Sequence, residues 1–73
     1  MKKEKIYIEI GENIKTIRIK NGLTQEKLAF EAKLHRAYIG QIERGEKRIG
    51  LKNLYKISRA LGVTIYHIIP KIE

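Results

Sequence analysis

Residues 24–45, TQEKLAFEAKLHRAYIGQIERG, leave this chain few folding options. They read as two short helices joined by a tight turn. Thr24 is a good N-cap, and Glu26 sits favourably near the positive end of the first helix. Leu28, Ala29 and Ala32 fall on one inward stripe, with Ala29 small where two helices should cross closely. The turn Ala32-Lys33-Leu34-His35 has no glycine, so a left-handed Lys33 there costs about 1 kcal/mol. The second helix is expected from roughly His35 to Arg44 and ends at Gly45, a C-cap glycine.

That second helix has two chemically different faces. Advancing roughly 100° per residue, Arg36, Ala37, Gly40, Gln41 and Arg44 share an arc of about 140°. Tyr38, Ile39, Ile42 and Glu43 occupy the other side. The second set contains the residues a core needs, whereas the first is small or hydrogen-bonding. A helix held down by its apolar side, with an Arg/Gln/Ala/Gly side left free, suits a DNA major groove. The stretch is therefore read as a helix-turn-helix whose second helix is the reading helix.

A chain of 73 residues has room for one domain and one modest core. It has no cysteine, so there is no disulfide staple and no thiolate metal site, which fits a reducing cytoplasm. His35 and His67 are far apart in sequence, without acidic or thiol partners at ligand spacing; neither a metal nor another cofactor is expected. The apolar runs are too short to span a bilayer, and Met1–Lys5 is followed by no secretory core. Sixteen Lys/Arg against 8 Asp/Glu give a formal charge of +8, an attraction to polyanions that fits nucleic acid and an anionic membrane surface alike.

Elsewhere the apolar pattern continues to be helical. Met1–Lys5 reads as a mobile charged tail. Ile6–Ile10 alternate like a strand, but Ile6, Ile10, Ile14 and Ile17 share a helical face that persists to Lys20. Asn21-Gly22 is a stop signal, and Leu23 is expected as a plug between helices. After the basic loop Glu46–Gly50, a helix from Leu51 to Leu61 carries Leu51, Leu54, Ile57 and Leu61 on one side and ends at Gly62. Thr64 is placed to cap a short fifth helix through about Ile69, stopped by Pro70. The expectation is an all-α, five-helix single domain over residues 1–73, with 65–73 as a dimerisation segment.

The run GLTQEKLAFEAKLHRAYIGQIERGEKRIGLKNLYKISRALGV resembles the phage repressor and Cro-like (lambda-repressor-like) helix-turn-helix family. The motifs are T-Q-E-x-L-A, then Y-I-x-Q-I-E-R-G, then L-x-x-L-x-K-I-x-x-A-L-G-V, in that order. Arg36-Ala37-Tyr38-Ile39-Gly40-Gln41-Ile42-Glu43-Arg44 is especially similar to the controller proteins of restriction-modification systems. The resemblance implies a five-helix fold, a symmetric dimer through the C-terminal helices, and a palindromic double-stranded DNA operator. It carries Gln25 onto a phosphate-contacting position, Arg36, Ala37 and Gln41 onto base-reading positions, and Arg18 with Glu43 onto an ion pair between the first and third helices. Lys33 departs from the family's Gly or Asn, and His35 from its Ser, Thr or Asp cap.

Each residue has a sharp and a bland reading. Arg36 could donate to guanine O6 and N7, or be a solvated or phosphate-bound arginine. Gln41 could read adenine or bond a phosphate. Ala37 could touch a thymine methyl or simply favour a helix. Gly40, costing about 0.8–1 kcal/mol inside a helix, is explained by close approach to DNA or by neutral drift. Tyr38 is read as packing, with its hydroxyl reaching a phosphate at the rim. Arg44, Lys47 and Arg48 are expected phosphate clamps, against a solvated charge cluster. Ile65, Tyr66, Ile68, Ile69 and Ile72 are read as a dimer seam, against an intramolecular core.

The leading expectation is a sequence-specific dimeric transcriptional regulator: a restriction-modification controller or, alternatively, a phage-type repressor. A protein-interaction module such as an antitoxin is the second class, and a membrane-surface helix the third, disfavoured by the stops at Gly22, Gly45 and Gly62. No small-molecule ligand is expected. No clustered carboxylates, nucleophile–base pair or phosphate loop point to an enzyme.

Overall fold

The computed structural model describes residues 3–71, which form α1 (Lys5–Lys20), α2 (Gln25–Ala32), α3 (Arg36–Glu43), α4 (Leu51–Leu61) and a 3-10 turn at Ile65–His67. No strand forms among the described residues, so the helical spacing of Ile6–Ile17 prevails over their local alternation. Lys5 already lies in α1, and Glu4 is its N-cap residue. The helix therefore takes in the end of the charged lead-in expected over Met1–Lys5, of which Met1 and Lys2 lie outside the described residues.

Each element sends a side chain to one core. Ile14, Leu28, Ile39, Ile42, Ile57 and Ile68 are all fully buried. At about 1.5–3 kcal/mol per buried aliphatic side chain, these are the largest favourable contributions in so small a chain. Leu28, Ala29 and Ala32 form the buried stripe of α2 as expected. On α4 the stripe is Leu54, Ile57, Ser58 and Leu61, whereas Leu51 is 71% exposed. Leu51 is the first residue of α4, and the first turn projects beyond the core. Ile6 is likewise exposed at the start of α1, and Leu23 is half-buried rather than a sealed plug.

The stops behave as their sequence signals require. Thr24 Oγ1 accepts the Lys27 N–H at 3.0 Å and caps α2. Lys33 takes the left-handed conformation (φ 58°, ψ 46°), and the Leu34 N–H closes back on the Ala29 carbonyl at 2.9 Å. The strain anticipated at Lys33 is thus present, and the core contact of Leu34 and this closure hold the turn in place. His35 gives α3 no side-chain cap.

The third helix is seated by an unusually close approach. A Cβ on Gly11 of α1 would stand 2.8 Å from the Glu43 carbonyl oxygen and closer still to that of Ile42. Gly45, at φ 73°, turns the chain so tightly that its Cβ would meet Ile8 Cγ1 at 2.8 Å. The C-terminal end of α3 thus lies directly on the backbone of α1.

A fifth α-helix does not form among the described residues. Thr64 starts the turn, but Pro70 leaves room for only a 3-10 turn over three residues. The Thr64 hydroxyl lies 3.0 Å from His67 Nδ1, and the Thr64 N–H faces the same nitrogen at 3.3 Å. Ile68 is drawn wholly into the core, and its carbonyl accepts from Asn13 Nδ2 at 2.7 Å. Ile68 is therefore a core residue of its own chain and has no surface to give to the expected dimer seam.

Candidate nucleic-acid interface

The two faces of α3 are separated as the wheel requires except at Gly40, which the wheel sets on the outer side and the structure buries. Ile39 and Ile42 are 0% and 1% exposed, and Glu43 is also buried. Arg36, Ala37 and Arg44 are exposed, and Gln41 is half-exposed.

Glu43 is held by a three-helix network. Arg18 of α1 donates Nε to Glu43 Oε2 at 2.6 Å and Nη2 to Oε1 at 3.1 Å. Gln25 of α2 donates Nε2 to Glu43 Oε1 at 3.0 Å, and Arg18 Nη1 reaches the Leu23 carbonyl at 2.7 Å. The Arg18 and Glu43 side chains are only 10% and 2% exposed. Removing one partner of such a pair strands a buried charge, at a cost of about 3–5 kcal/mol, so the network fixes α3 against α1 and α2. The ion pair expected between Arg18 and Glu43 is present; that Gln25 joins it was not anticipated.

Gly40 is not an open notch. Its Cβ position lies 3.1 Å from Arg44 Nη1 and 3.7 Å from Gln25 Oε1. One turn on, the Arg44 side chain bends back over it, as long helical side chains do. The surface expected to be bare is covered by an arginine tip.

Tyr38 packs against the core as read, but its hydroxyl has an inward partner. Its hydroxyl accepts a hydrogen bond from Asn53 Nδ2 of α4 at 3.0 Å, so that contact reaches inward to a helix rather than out at a rim. The phenolic proton remains for an outside acceptor. Asn53 has no sequence signal, because the contact joins two helices through the fold.

Arg44 and Arg48, two of the basic residues after α3, are paired with acids. Arg44 donates Nε and Nη2 to Glu46 Oε2 and Oε1 at 2.8 and 3.1 Å. Hydrogen bonding from Arg44, reinforced by its charge, holds the Glu46 carboxyl below the ordinary carboxylate range. The same contact raises the Arg44 guanidinium. Arg48 pairs with Glu4, and Lys47 is exposed between them. Lys3, Glu4, Tyr7, Gly45, Glu46, Lys47 and Arg48 line a cleft of about 280 Å³ between the start of α1 and this loop.

Among the described residues no group of three or more His, Cys, Asp or Glu is placed to hold a metal. Likewise, no helix among them is long and apolar enough to cross a membrane. At the C-terminal end Tyr66 is 84% exposed, and Ile65 and Ile69 are half-buried. Ile72 lies outside the described residues.

A short helix packed by its apolar side on a capped partner helix, with arginine and glutamine outward, defines a helix-turn-helix protein. The chain belongs to the helix-turn-helix family, whose profile matches residues 14–68. It is a transcriptional regulator of the DNA-binding type, not an enzyme. It is 51% identical over 59 residues to the control protein C.BamHI of Bacillus amyloliquefaciens, covering 80% of this chain and 73% of that one. Its fold matches the restriction-modification controller protein C.AhdI from Aeromonas hydrophila with a TM-score of 0.85 and 33% identity, over 86% and 96% of the two chains. The controller protein C.Esp1396I, solved as a tetramer in complex with its natural 35 base-pair operator, matches with a TM-score of 0.80 and 36% identity, over 84% and 80%.

Proposed function

We propose that this chain is a restriction-modification controller that binds a palindromic operator as a symmetric dimer and works in the cytoplasm. The observation that carries the reading is α3, sealed into the core through Ile39 and Ile42 while Arg36 and Ala37 face outward. Two such helices about a two-fold axis enter successive major grooves about 34–36 Å apart.

Arg36, at the start of α3, donates its planar fork to guanine O6 and N7. Gln41 and Ala37 contribute beside it, and Gly40 lets the helix backbone approach once Arg44 moves aside. Arg44, Lys47 and Arg48 bind phosphates, with Tyr38 and the second amide hydrogen of Gln25 as neutral donors. The +8 charge attracts any duplex, and the α3 contacts choose among them. Residues 3–71 act as one DNA-binding unit, and the surface around Tyr66, Ile65 and Ile69 joins the two copies.

Selection of bound sites from a random duplex pool tests this reading. A palindrome with half-sites about one helical turn apart is the expected result. Recovery of no common sequence would remove it.

A further inference from the structure

Arg44 and Glu46 form a pair that a plain phosphate clamp does not explain. The guanidinium fork is matched bidentately by a carboxylate, with bonds of 2.8 and 3.1 Å. Two carboxylate oxygens meet an arginine in the same parallel way that two phosphate oxygens do. The backbone of the acid is anchored beside the arginine, because the Glu46 N–H is bonded to the Gln41 carbonyl at 2.9 Å in the turn that ends α3. The arginine is also placed by α3: its Nη1 lies 3.1 Å from the Cβ position of Gly40, across the outer face.

We propose that Glu46 is an internal phosphate surrogate, which holds Arg44 in the free protein and yields it to a DNA phosphate on binding. The inference rests on the DNA-binding reading given above. Both side chains are solvent-exposed, so water and salt screen their attraction and the exchange is easy. A duplex phosphate also releases condensed counterions when it takes the arginine, a gain that the lone carboxylate cannot match. Glu46 therefore restrains affinity for every duplex equally. It keeps a strongly basic chain from being held on random DNA, and leaves base choice to Arg36 and Gln41.

The test compares four full-length proteins: wild type, Glu46→Gln, Arg44→Gln and the double variant. Each is titrated at one salt concentration with the duplex selected above and with a random-sequence duplex. Glu46→Gln is expected to tighten binding to both duplexes about threefold to tenfold, by freeing one phosphate contact. In the Arg44→Gln background the same change should give less than about a twofold effect, because the residue it acts through is gone. A Glu46→Gln protein no tighter than wild type would overturn the proposal. So would equal tightening with and without Arg44, which is the signature of a bulk charge effect. Wild-type protein that binds neither duplex would remove the DNA-binding reading along with it, whereas wild-type binding with a silent Glu46→Gln removes the surrogate alone.

Discussion

Gly40 carries two opposed demands at a single position. Inside a helix it forgoes about 0.8–1 kcal/mol relative to alanine. The atom nearest to an added Cβ is the exposed tip of Arg44 at 3.1 Å, a flexible group that can give by a few tenths of an ångström. Gly40→Ala is therefore expected to stabilise the free protein by up to about 1 kcal/mol, read as a higher urea midpoint with an unchanged slope. On the proposed docking of α3 it should at the same time weaken operator binding, because the methyl would stand where the helix backbone approaches the groove. A destabilised Gly40→Ala protein would show that Arg44 is rigidly fixed there. That Gly40 shares a side of α3 with Arg36 and Gln41 was legible from helical spacing, although the structure buries it. That an arginine lies over it was not, because side-chain direction depends on the Glu46 contact beyond the helix end.

Among the elements, the placement of α3 depends on α1. At Gly11 an added Cβ would meet backbone carbonyls of α3, and backbone cannot step aside without lifting the helix. Gly11→Ala is expected to destabilise the fold by about 1–3 kcal/mol in the same urea measurement, opposite in sign to Gly40→Ala. An unchanged midpoint would mean that α3 is less tightly seated than its geometry indicates. The helices themselves were readable in advance: Thr24 caps α2, Gly45 and Gly62 turn left-handed after α3 and α4, and Leu28, Ala29 and Ala32 point inward. Gly11 was not, since its reason lies 31 positions along the chain, at Ile42. The fifth helix expected between Thr64 and Pro70 shrinks to a 3-10 turn, because the few residues between cap and proline leave room for only a single turn.

At the scale of the whole molecule, the C-terminal apolar residues divide between two tasks. Ile68 completes the core of its own chain, while Tyr66, 84% exposed, is left for the proposed dimer seam. Sequence patterning cannot separate these tasks in so short a segment, where neighbouring residues point in different directions. Tyr66→Asp is expected to leave the far-UV circular dichroism unchanged and shift sedimentation from dimer to monomer. A variant that sediments as wild type would move the seam elsewhere. The net charge of +8 acts on the same scale: Lys47→Ala should weaken binding to all duplexes alike and flatten the salt slope by about one unit.

Whether the outer side of α3 meets base-pair edges is decided by the affinity of Arg36→Ala for the selected duplex against a random one. A loss of about 1–3 kcal/mol on the selected duplex, with little change on the random one and a relaxed base preference, is the predicted result. Equal loss on both would contradict it and reduce Arg36 to one more phosphate contact.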